Sequence, residues 1–147
     1  MQFGWFKRVR VGASRRRRSR RRGGAPSIQH YILHKERARA LVHERLSHWN
    51  QFYSHTYNRV TIRNQRSRWG SCSSKQNLNF NYRIIFLPQE LVDYIIVHEL
   101  CHLAEFNHSQ NFWSHVARTL PDYASRRAQL GALSVEWVVK GVADPVQ

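Results

Sequence analysis

The sequence predicts an α+β domain: a long amphipathic helix, a small antiparallel β-meander, then a run of helices. Three observations predict it. Apolar residues recur at three- and four-residue spacings from about residue 27 to 53, alternate with polar ones between 59 and 85, and return to helical spacing after Pro88. At 147 residues, 41% hydrophobic and 12% aromatic, the chain can fill one modest core. No apolar run reaches the ~20 residues of a membrane span, and no h-region precedes a small-residue cleavage site, so the expected location is the cytoplasm and no membrane partner is expected. The only two cysteines, Cys72 and Cys101, fit a reducing compartment and are expected reduced and partly buried.

Charge divides the chain into two regions. The formal net charge is +15, and ten of the 24 basic residues but none of the nine acids fall in residues 1–25. Residues 1–26 therefore read as an arm without order of its own, closed by Gly23-Gly24-Ala25-Pro26, and residues 27–147 as the folded domain. Seven arginines crowd its end: Arg15, Arg16, Arg17, Arg18, Arg20, Arg21 and Arg22. They suit nonspecific, salt-sensitive binding of nucleic acid, since each phosphate neutralised releases counterions. An Arg- and Ser-rich, acid-free terminus also has the composition of a transit peptide.

The first helix is expected from Ser27, as N-cap, to about Tyr53, with Ile28, Tyr31, Ile32, Leu41, Val42, Leu46 and Trp49 on its apolar side. His30 and His34 lie one turn apart within it. With no acid or third ligand at a matching offset, they read as surface histidines. Arg59 to Asn64 alternates as a strand with Val60 and Ile62 on one face. Ser74 to Asn77 supplies turn chemistry, and Leu78 to Ile85 alternates again, setting Leu78, Phe80 and Tyr82 against Asn77, Asn79 and Asn81. Gly70, between them, predicts a bulge or a close backbone approach. Pro88 opens a helix apolar enough for the core, through Leu91, Val92, Ile95, Ile96, Leu100 and Leu103. Helices over Gln110 to Leu120, stopped by Pro121, and Ala124 to Leu130 follow; Ser134 to Val142 fits strand or helix.

The chemistry lies in the core helix. His98-Glu99-Leu100-Cys101-His102 is the H-E-x-x-H pattern. Four residues turn a helix by ~400°, so the two imidazoles project ~40° apart, one turn separated, and can share one cation. Glu99, ~100° round from His98, stands beside such an ion, where it can take a proton from a zinc-bound water. A catalytic zinc uses three protein ligands and keeps one position open. His108 is the third candidate, provided the helix ends near Phe106-Asn107 so that the chain swings back; Glu105 is a rival. With 9 His in the chain, chance would produce the pattern with a third histidine about 0.001 times.

Several motifs in order carry a wider resemblance: Arg66-Ser67-Arg68-Trp69-Gly70-Ser71-Cys72-Ser73, Leu78-Asn79-Phe80-Asn81, His98 to His102, Asn107-His108-Ser109 with Phe112-Trp113, and Pro121-Asp122-Tyr123. Across about Ser27 to Leu130 the chain resembles the YgjP-like metal-dependent hydrolases, zincin-type metallopeptidases related to SprT-like domains. The resemblance implies a compact zincin-like domain with His98, His102 and His108 holding one zinc ion and Glu99 as the base. It implies that the meander lies beside the active-site helix, where an edge strand can pair with a peptide or unfolded-protein substrate. It implies packing roles for Trp69, Phe112 and Trp113. The expected activity is zinc-dependent peptide hydrolysis; the alternative is a nucleic-acid-associated module localised by the arginine arm. Tyr82, Arg83, His115 and Tyr123 stand as undistinguished candidates for stabilising the oxyanion.

Overall fold

A computed structural model describes residues 28–133; the arginine arm, Ser27 and the segment from Ser134 onward lie outside the described residues. The elements run α1 (Ile28–Asn50), β1 (Arg59–Arg63), β2 (Gly70–Cys72), β3 (Asn77–Asn81), a 3-10 helix (Tyr82–Phe86), α2 (Gln89–Cys101), α3 (Gln110–Thr119) and α4 (Tyr123–Ala132). The α+β class and the order of elements match the sequence reading.

Helix α2 is the centre of the domain. Every residue from Leu91 to Cys101 is buried, polar His98 and Glu99 included. Pro88 occupies its N-cap and, having no N–H to lose, begins the helix cleanly. Helix α1 packs against it through His34, Ala38, Val42 and Leu46, an unbroken stripe at four-residue spacing. The expected apolar side holds at Tyr31 and through the second half, whereas Ile28 and Ile32 are 71% and 56% exposed. The expectation of surface histidines is also corrected. His34 is buried against Phe86 and His30, and His30 Nδ1 lies 3.0 Å from the Tyr82 hydroxyl. A two-pronged ion pair, Arg45 to Asp93 at 2.6 and 3.0 Å, ties α1 to α2 where both side chains are nearly out of water.

The sheet departs from the expected meander. Its order is β1-β3-β2, with β1 parallel and β2 antiparallel to β3. The reason lies in the connection between β1 and β2. Residues 64–69 reverse the chain in a loop wide enough for a third strand, and β3 fills the slot. Asn81, fully buried at the end of β3, donates through Nδ2 to the carbonyls of Gln65 (2.6 Å) and Arg68 (2.8 Å), replacing contacts that a tight hairpin would make internally. Asn81 also ends the strand early. Its Oδ1 accepts from the Arg83 N–H, and the chain turns into the 3-10 helix where alternation alone extended the strand to Ile85. The turn before β3 matches expectation, with Gln76 left-handed at φ 57°. No helix among the described residues is long and apolar enough to cross a membrane.

Candidate metal centre

The three histidines converge. His102 Nε2 and His98 Nε2 are 3.0 Å apart, and His108 Nε2 is 3.2 Å from His98 Nε2. Ligands at ~2.0–2.1 Å in a tetrahedron stand roughly 3.3 Å apart, so the set is close to the spacing one zinc-sized ion needs. Among the described residues this is the only group of three or more such side chains with metal-site spacing. His98 and His102 are buried while His108 is exposed, which leaves one side open.

His108 reaches the cluster by a shorter route than the sequence suggested. Helix α2 ends at Cys101, with His102 as its cap, several residues before Phe106-Asn107. The last turn tightens: the N–H groups of Leu103 and Ala104 donate to carbonyls three residues back. His102 Nδ1 then meets the Glu105 carbonyl at 2.9 Å. A carbonyl only accepts, so Nδ1 carries the proton and Nε2 turns its lone pair to the cluster. Glu105, the rival ligand, thus contributes its backbone, and its carboxylate is outside the group. Asn107 Oδ1 accepts from the Ser109 N–H, and Ser109 caps α3 through Phe112, which sets His108 on a tight bend facing α2.

Aromatic packing fixes the rings. Phe112, fully buried, lies 4.8, 4.6 and 4.9 Å from the rings of His98, His102 and His108. Trp113 stacks between His108 (5.7 Å) and Tyr123 (5.1 Å). Both have the packing role the resemblance implied, as does buried Trp69. Burial, above all, depresses all three imidazoles: His98 falls well below the usual histidine range, His102 is lowered, and His108 falls to about 4. Each is therefore neutral at physiological pH, the form that ligates.

Glu99 sits beside the cluster, 3% exposed. Burial pushes its carboxyl up to about 8, against the pull of Arg68. Its Oε2 is buried without a hydrogen-bond partner among the described residues. A cavity of about 10 Å³, the size of one water, adjoins it and is lined by Arg68, Gly70, Tyr94 and His98. The close approach expected at Gly70 is to this side chain: a Cβ there would lie 2.7 Å from Glu99 Oε1. Glycine is required for that contact alone, since its φ is not positive. The ring cradle, the neutral donor set and the unsatisfied carboxylate oxygen together fit a divalent metal with an attacking water.

The chain matches the family model described as YgjP-like, metallopeptidase domain, over residues 15–132. The chain belongs to the YgjP-like family. In fold it is similar to the crystal structure of the metallopeptidase zymogen of Pyrococcus abyssi abylysin, with a TM-score of 0.54 at 23% identity over 60% of this chain and 90% of that one. No curated protein matches in sequence. This YgjP-like domain is thus a metal-dependent peptidase, as the resemblance implied.

Two of the four oxyanion candidates are engaged elsewhere: Tyr82 faces His30 and buried Arg83 donates to the Gln65 carbonyl, while Tyr123 is layered behind Trp113. Sequence reasoning missed Arg68, Tyr94 and Arg127 as neighbours of the site. Tyr94 carried a signal, four residues before His98 on the same helix face. Arg127 carried none. Cys72 and Cys101 are free and buried, and burial pushes both thiols up to about 12.

Proposed function

We propose that this domain is a zinc-dependent peptidase in which His98, His102 and His108 hold the ion and Glu99 moves the proton. One observation carries the reading: three neutral imidazole nitrogens converge beside a buried carboxylate with an unsatisfied oxygen. When bound there, zinc lowers the pKa of a coordinated water toward 7 and polarises the substrate carbonyl. Glu99 accepts the proton as the water oxygen adds to the carbonyl carbon. It then gives that proton to the amine nitrogen as the C–N bond breaks, so one carboxylate serves as base and acid. A pKa raised by burial suits both duties near neutral pH. Gly70 lets β2 lie against Glu99, and Arg68 on the same loop favours its ionised form. Strand β2 is at the sheet edge, where an extended segment of a peptide or unfolded protein can pair with it.

Glu99→Gln tests the assignment. The variant should bind one zinc per chain with wild-type affinity and cleave an unfolded protein at least about 10³-fold more slowly. Wild-type turnover would remove Glu99 from the mechanism.

A further inference from the structure

The sheet has two unlike faces. Ile62, Phe80 and Gly70 stand in register and face the core, the first two almost fully buried. The next row, Thr61, Asn79 and Ser71, faces away and floors an open groove of about 650 Å³. Asn79 ties this row together, donating through Nδ2 to Ser71 Oγ and accepting at Oδ1 from Arg63 Nε, both at 3.4 Å. Arg63 and Arg68 line the groove, and among the described residues no acid does. Arg68 also lines the small cavity beside Glu99 and His98, so one side chain joins the groove to the candidate metal centre. Its backbone is anchored. The Arg68 carbonyl accepts from Asn81 Nδ2 at 2.8 Å, and the next residue, buried Trp69, accepts the Asn81 N–H.

Resting on the peptidase reading above, we propose that this groove is a substrate subsite that selects an acidic side chain, held by Arg68 and Arg63. The register makes the link. Among the described residues no strand pairs with the outer edge of β2. A peptide lying along that edge turns every second side chain to the face that carries Ser71, Asn79 and Thr61. There the two guanidiniums meet a carboxylate with planar, permanently charged donors, and the hydroxyl and amide groups meet the polar atoms beside it. A nucleic-acid strand fits the lining less well, because base stacking needs an open ring. The one aromatic residue of the groove, Tyr31, is held by the Ile62 carbonyl at 2.9 Å and packs edge-on against Tyr82.

The test uses the full chain carrying Glu99→Gln and loaded with zinc, so that peptides bind without being cut and Arg68 has no Glu99 charge to act on. Affinity for fluorescent peptides is read by anisotropy. A single glutamate is stepped along an otherwise uncharged peptide, with glutamine at the same position as the reference. Glutamate should be preferred about tenfold, the size of one partly solvated charge-assisted hydrogen bond, and at alternate positions only. Adding Arg68→Gln or Arg63→Gln should cut that preference by about threefold or more. Arg39→Gln, which removes an equal charge from the exposed side of α1, should leave it unchanged. No preference, equal preference at every position, or the same loss with Arg39→Gln overturns the proposal. A single-stranded oligonucleotide that binds more weakly to both groove variants, while the glutamate preference stays unchanged, assigns the groove to nucleic acid and also overturns it. In the wild-type protein, kcat/KM on the best glutamate peptide and its glutamine partner should differ in the same ratio. If the wild type cuts neither, the peptidase reading fails by itself, and the binding series still decides what the groove selects.

Discussion

Replacing Gly70 with alanine isolates the contact that holds Glu99, the proposed base. Because φ at Gly70 is not positive, the backbone accepts alanine, and the whole effect comes from the added methyl. That carbon would stand 2.7, 2.9 and 3.1 Å from Oε1, Cγ and Cδ of Glu99. Comfortable contact begins near 3.5 Å, so the carboxylate or the strand must give way by about 0.8 Å. Neither moves freely. Gly70 is anchored in β2, whose register opposes it to fully buried Phe80, and Glu99 has only a water-sized cavity beside it. Misplacing a catalytic group by about 1 Å costs roughly 10²-fold in rate, or about 2.7 kcal/mol of barrier, and overpacking costs about 1–3 kcal/mol of stability. The three atoms nearest that methyl all belong to Glu99 and none to an imidazole. Gly70→Ala should therefore retain one zinc by elemental analysis while kcat on an unfolded protein falls about 100-fold. A kcat within threefold of wild type would show that the contact does not position the base. Loss of zinc would show that Gly70 supports the ligands instead.

Two further predictions follow from burial. Burial lowers all three histidines below the usual histidine range, so zinc affinity should fall less between about pH 7.5 and 5.5 than at an exposed three-histidine site; chelator titrations across that range check it. Without metal, His108 binds fewer protons folded than unfolded between about 4 and 6.5, so its contribution to stability is full above pH 6.5 and is lost as pH falls through about 4; His98 and His102 act in the same sense. Glu99 acts in the opposite sense: its contribution is full below pH 4.5 and is lost as pH rises through about 8, so Glu99→Gln should stabilise the metal-free protein above pH 8, read by denaturant titration. Separately, Asp93→Ala should cost about 3–5 kcal/mol by leaving Arg45 almost buried without its carboxylate, while Arg45→Met with Asp93→Leu should restore most of it.

What the sequence made legible was periodic or local. The helical spacing after Pro88, the one-turn separation of His98 and His102, and the start of α3 at Gln110 all follow from rules that act within a few residues. Gly70 was legible as a close approach, though not to which side chain. What was not legible depends on contacts distant in sequence. The parallel pairing of β1 with β3 turns on Asn81 reaching Gln65 and Arg68, 16 and 13 residues away. Helix α2 ends early because the His102 ring is satisfied by a carbonyl three residues on, a capture that periodicity does not register. His34 looked like a solvated histidine until the 3-10 helix supplied Phe86 as its wall. Arg127 entered the site only through the packing of α4 on Trp113.

The central claim is that three imidazoles, and no other groups of this chain, hold the ion. Zinc K-edge absorption on the loaded protein tests it most directly. The claim predicts one zinc per chain with nitrogen or oxygen neighbours at ~2.0–2.1 Å, three of them imidazoles, and one imidazole fewer or no retained zinc in His108→Ala. Sulfur at ~2.3 Å, from Cys72 or Cys101, or a spectrum unchanged by His108→Ala, would contradict it.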